Sequence, residues 1–62
     1  MMCGVYIRLY GNHRSLAYMY GVDKTGTIYC PEENHYVDII YVGTKDECMA
    51  AMPALKEKYN IK

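Results

Sequence analysis

The stretch Val22-Asp23-Lys24-Thr25-Gly26-Thr27-Ile28 decides how this chain is read. Aspartate, two residues able to take right-handed helical angles, then glycine is the pattern of a type I turn followed by a G1 bulge. The Asp23 carboxylate can accept a bond from a backbone N–H two residues on. Gly26 suits the left-handed position because it has no Cβ to clash. Read this way, the stretch is a hairpin that sets Val22 opposite Ile28 and Tyr20 opposite Cys30.

Working outward from that turn, Gly4 to Tyr10 alternates between apolar and polar faces, and Leu16 to Val22 and Thr27 to Cys30 are rich in strand formers. Gly11-Asn12-His13-Arg14 is a turn cluster between the first two strands. With those residues as the loop, Leu9 faces Leu16, Ile7 faces Tyr18 and Val5 faces Tyr20. One face of the resulting meander carries Cys3, Val5, Ile7, Leu9, Leu16, Tyr18, Tyr20, Val22, Ile28 and Cys30. The other carries Tyr6, Arg8, Tyr10, Ala17, Met19, Gly21, Thr27 and Tyr29. Two independent turns thus agree on one apolar face, as register specification requires. Tyr29 lies across from Gly21, where its ring covers bare backbone.

Pro31 to His35 is a polar break, and Tyr36 to Val42 is a fourth strand whose place in the sheet the sequence leaves open. An inward face of Val37, Ile39 and Tyr41 keeps Asp38 in water. Thr44-Lys45-Asp46-Glu47 is a capping box: the Thr44 hydroxyl takes the Glu47 N–H, and the Glu47 carboxylate reaches back. The helix it opens runs to about Tyr59, with Cys48, Ala51, Met52, Leu55 and Tyr59 at helical spacing. Pro53 predicts a kink near Met49–Met52, or else two short helices with Pro53 starting the second. The expected architecture is one α+β domain over residues 1–62. It is a small antiparallel sheet, a three-stranded meander plus a fourth strand, covered on one face by a single C-terminal helix kinked near Pro53.

At 62 residues the chain buries only about 60% of its unfolded surface, and a core of this size rarely supplies more than roughly 3–5 kcal/mol. A partner or a staple is therefore expected to help it. Eight Tyr with no Phe or Trp give bulky apolar surface a polar tip, which suits interfaces. Seven basic and seven acidic side chains cancel, against the basic excess of a general nucleic-acid binder. No apolar run reaches membrane-spanning length. Met1 to Val5 lacks the basic start and apolar stretch of a signal peptide. Cys3, Cys30 and Cys48, odd in number and widely spaced, read as reduced thiols in the cytoplasm.

Asp23-Lys24-Thr25-Gly26-Thr27 also resembles the phosphorylation loop of P-type ion-pumping ATPases, which implies phosphate transfer to Asp23. Such chemistry needs a phosphate cradle, a Mg²⁺ site and groups that place the attacking oxygen. In 62 residues there is no second acidic motif for the metal and no space for a nucleotide, so the turn explains the string. Cys30 and His35, together with Cys3 or Cys48 and with His13, offer the ligand types of a tetrahedral zinc site. But no CxxC pair anchors them, and the cysteines fall on core positions. Glu32 and Glu33 read as a solvated loop. No catalytic residue, metal or cofactor is assigned, and no enzyme activity is expected.

The segment from Val42 to Met52 resembles the strand end and helix start of the arm-type DNA-binding domains at the N-termini of tyrosine integrases. The resemblance rests on the capping pattern. It implies a three-stranded sheet that enters the major groove, for which only Arg8, Arg14 and Lys24 would be available as cations. The stronger expectation comes from the second sheet face. One helix cannot cover both faces, so Tyr6, Arg8, Tyr10, Met19 and Tyr29 should be exposed together, and these are interface residue types. The reading is a non-enzymatic interaction module that binds a protein partner as an inhibitor or adaptor, self-associates as a homodimer, or both. Small binders of this size class include products of phages and other mobile elements.

Overall fold

Two hairpins stand side by side in place of a meander. The computed structural model describes residues 1–61. It contains strands β1 (Met2–Tyr10), β2 (His13–Tyr20), β3 (Gly26–Cys30) and β4 (His35–Thr44), then helix α1 (Lys45–Lys58). The strands form one antiparallel sheet in the order β2-β1-β4-β3, and α1 packs on it, giving an α+β fold. The sheet has one strand more than the integrase resemblance implies.

The first hairpin closes through two residues, Gly11 and Asn12. Its pairs run from Tyr10 opposite His13 to Cys3 opposite Tyr20. Gly11 holds φ 55°, and positive φ at the first central position is what a tight hairpin turn asks of glycine. Ile7 therefore faces Leu16 and Val5 faces Tyr18, two positions away from the longer-loop register. Because side chains alternate with period two, that shift leaves β1 and β2 presenting the expected faces.

The Asp23–Gly26 hairpin does not form. Gly26 has the expected positive φ, 121°, but it opens β3, which pairs with β4 and not with β2. Gly21 to Thr25 instead crosses from one sheet edge to the other. Val22, 5% exposed, packs against Gly4 and Ile39: a Cβ on Gly4 would lie 2.7 Å from a Val22 methyl and 2.9 Å from an Ile39 methyl. The longest strands, β1 and β4, take the centre, where both of their ladders are satisfied. The short β3 falls to an edge. This placement reverses the faces expected of β3: Ile28 and Cys30 now share a face with Tyr6, and Tyr29 points to the helix side.

Beside β1, β4 carries a bulge. Val5 pairs with Tyr41 but Tyr6 pairs with Ile39, leaving Ile40 as the extra residue. Ile40 and Tyr41 therefore both pack toward the helix-side core, while Val37 and Ile39 are buried on the opposite face. The expected inward set of Val37, Ile39 and Tyr41 is split by that one residue.

Helix α1 starts as the capping box requires. The Glu47 N–H donates to Thr44 Oγ1 at 3.2 Å, and the Thr44 N–H donates to Glu47 Oε1 at 2.8 Å. The Thr44 backbone N–H first, then the Thr44 side chain, hold the Glu47 carboxyl below its usual range. The helix passes through Pro53 as one element, so the two-helix alternative is excluded. Pro53 leaves the Met49 carbonyl without its helical donor. Cys48 and Leu55 are buried against Cys3 and Val5, with Ala51, Met52 and Tyr59 packed around them. At the far end, Arg14 of β2 donates to the carbonyls of Tyr59 and Asn60, 3.0 Å each, placing a cation at the negative end of the helix. The sheet thus has a separate core on each side, one under α1 and one under the Gly21–Thr25 crossing.

Candidate interaction surface

On the face away from the helix, Tyr6, Arg8 and Tyr10 come together as successive same-side residues of β1, with Met19 beside them. They do not form an open patch. Tyr6 is 2% exposed. Its hydroxyl donates to Glu33 Oε2 at 3.1 Å and lies 3.8 Å from the Cys30 sulfur. Burial first, then the Cys30 and Glu33 contacts, push its phenol well above the ordinary tyrosine value. Arg8 Nε sits 3.0 Å from the same Glu33 oxygen. It does not point at that oxygen, so the contact is an ion pair and not a hydrogen bond. The Arg8 guanidinium also donates to the Tyr10 hydroxyl and lies 4.4 Å above the Tyr10 ring. Met19 is half-buried against the Tyr6 cluster. Of this group only Tyr10 is strongly exposed.

Tyr29 is on the other side of the sheet. It sits directly opposite Tyr36, edge to face at 5.4 Å, and its hydroxyl donates to Asn34 Oδ1 at 2.7 Å. The five residues expected to be exposed together are therefore divided between the faces, because β3 lies next to β4.

The open apolar surface lies on the helix side. Contacts from α1 reach β1, β2 and β4 but leave β3 bare. What remains is a groove of about 370 Å³, with Ile7, Leu9, Tyr36 and Ile40 along the sheet and Tyr59 as the wall. Leu9 is 64% exposed and Tyr36 68%, and Tyr29 adjoins through its contact with Tyr36. Asp38 lies in the groove and accepts a bond from the Thr27 hydroxyl at 2.6 Å. Leu9 faces the helix side, as its alternation with Val5 and Ile7 predicts, but the helix does not reach it. Tyr36 read as the start of a strand after a polar break. Only the placement of β3 beside β4 gives it an aromatic neighbour.

The other candidate chemistry is dispersed. Asp23 is exposed on the crossing. Cys3 and Cys48 are buried on the helix side and Cys30 on the other. The Cys48 thiol approaches the Cys3 carbonyl at 3.5 Å, and burial raises its pKa. Among the described residues, no three His, Cys, Asp or Glu side chains gather as metal ligands. Of the three cations available to a DNA-binding sheet, Arg8 is paired with Glu33 and Arg14 with the helix carbonyls. No described helix is long and apolar enough to cross a membrane. Compared with family models, curated proteins and solved structures, the chain finds no match.

Proposed function

We propose that this chain is a non-enzymatic interaction module of inhibitor or adaptor type that works by binding protein. The observation that supports this reading most is the open half of the helix-side sheet. Leu9, Tyr29 and Tyr36 are exposed there together around an apolar groove walled by Tyr59. Tyrosine and leucine side chains over a rigid strand pair contribute apolar area at low entropic cost, with hydroxyls to orient a partner. The expected interface set of Tyr6, Arg8, Tyr10, Met19 and Tyr29 is thereby narrowed. Tyr29 stays in the contact surface, Tyr10 is an exposed flank of the opposite face, and Tyr6, Arg8 and Met19 act as supports. Arg8 is paired with Glu33 and Arg14 with the helix carbonyls, and Asp38 lies in the groove, which favours a protein partner over nucleic acid. Three unpaired buried thiols favour a reducing compartment such as the cytoplasm.

The test is site-directed photo-crosslinking in cells that produce the protein. A photo-reactive residue at Tyr36 should give a discrete adduct that one at exposed Lys24 does not. Identical adduct patterns at the two positions would refute the groove as the contact surface.

A further inference from the structure

Strand β2 is a sheet edge along its whole length, and its pairing with β1 fixes which backbone groups it leaves free. The Gly21 N–H donates to the Met2 carbonyl at 2.9 Å, one step beyond the Cys3–Tyr20 pair and in the same register. Bonded positions alternate along an antiparallel ladder. The odd-numbered residues of β2 therefore bond to β1, while Arg14, Leu16, Tyr18 and Tyr20 turn their N–H and C=O groups outward. This edge has eight residues, no proline and no break in register against β1, and its one formally charged side chain, Arg14, is drawn to the Tyr59 and Asn60 carbonyls. The opposite edge, β3, has five residues and ends at Pro31, a device that limits pairing.

Resting on the interaction reading above, we infer that the partner of the β2 edge is β2 of a second copy. The two strands pair antiparallel about a two-fold axis perpendicular to the sheet. Such an axis keeps both helices on the same side, so only residues facing the same side meet. One register engages all four outward-facing residues. It places Ala17 on the axis, Leu16 opposite Tyr18 of the second copy, and Arg14 opposite Tyr20 of the second copy. The side chains fit that register. A groove of about 410 Å³ flanks β2, lined on the helix side by Leu16, Tyr18, Met49 and Met52. The Leu16–Tyr18 ladder of the second copy extends into it, and Met49, 37% exposed, borders the seam. On the other side the groove is lined by Ala17 with Tyr6, Arg8, Glu32 and Glu33, of which Glu33 is already paired with Arg8; the axis residue is alanine, small enough for two copies to meet. The two Arg14 charges fall at opposite ends of the seam and do not face each other. The open groove at Leu9 and Tyr36 lies away from this edge and remains available.

Light scattering over a concentration series, combined with cysteine crosslinking, tests this. The mass should rise from 7.2 kDa to twice that value. Directly opposed residues at a non-bonded position have Cβ atoms about 4.5–5.5 Å apart. Ala17→Cys should therefore form a disulfide-linked dimer on mild oxidation, and Ser15→Cys should not. The Leu16→Pro variant removes an outward N–H, and Tyr20→Pro removes another at an exposed side chain. Either one, folded by circular dichroism, should lose the doubled mass. A dimer in which Ala17→Cys fails to crosslink, or crosslinks no better than Ser15→Cys, overturns β2 pairing but leaves the interaction reading standing. A protein that stays monomeric at the highest concentration overturns self-association. The interaction reading then stands or falls on crosslinking at Tyr36.

Discussion

The two faces of this sheet are closed by very different means. On one, a helix running from Lys45 to Lys58 covers Cys3 and Val5. On the other, the short crossing from Gly21 to Thr25 places Val22 over Gly4 and Ile39 and helps bury Tyr6 and Cys30. The larger element leaves more open. It lies along β1, β2 and β4 and stops short of β3, so Leu9, Tyr29 and Tyr36 stay in water. The small element buries the middle of its face, leaving Tyr10 exposed at one end, because it crosses the full width of the sheet and Glu33 adds a polar clamp to Tyr6 and Arg8. Coverage follows the path of the chain across the strands, not the size of the covering element. It is the helix side, contrary to expectation, that offers an apolar surface.

Removing the cover from each face separately probes this contrast. Leu55→Ala strips the helix of a buried anchor and should cost about 2–5 kcal/mol; urea unfolding measures it, and a loss under ~1 kcal/mol would mean the helix is loosely docked. Gly4→Ala should act on the other face, since the added Cβ meets Val22 and Ile39. Overpacking there should cost about 1–3 kcal/mol, and the same titration would show no change if the crossing moves aside freely.

The Tyr6 phenol offers a pH probe of the crossing-side core. Its pKa is raised on folding, so its contribution is intact below the ordinary tyrosine value of about 10 and is lost as pH rises above that value. Melting temperature should fall more steeply above pH ~10 in the wild type than in Tyr6→Phe. Part of the fall should persist in the variant, because Cys48 is shifted in the same direction. Parallel curves for the two proteins would place Tyr6 in water. The smallest effect is expected at the open groove, where Tyr36→Ser should change stability by no more than about 0.5 kcal/mol by urea unfolding. A larger loss would make Tyr36 part of the core.

Much of this fold is legible in the sequence. The capping box, the helix through Tyr59 and the faces of β1 and β2 depend on local periodicity and short-range hydrogen bonds, which neighbouring residues report. The position of β3 does not. Asp23 to Gly26 satisfies the chemistry of a hairpin turn, and nothing local says that Val22 gains more by packing on Gly4 than by pairing with Ile28. A long-range choice of that kind depends on β4 competing for the centre of the sheet, and the bulge at Ile40 adjusts β4 to both cores. The exposed surface follows the same choice. Tyr6 and Tyr29 share a face only if β3 follows β2.

Tyrosine nitration with peptide mapping by mass spectrometry tests the central claim, that the open aromatic surface lies on the helix side, most directly. Tyr36, Tyr29 and Tyr10 should be modified in the folded protein, and Tyr6 should be protected until the protein unfolds. Nitration of Tyr6 in the folded state, with Tyr29 and Tyr36 protected, would contradict the account.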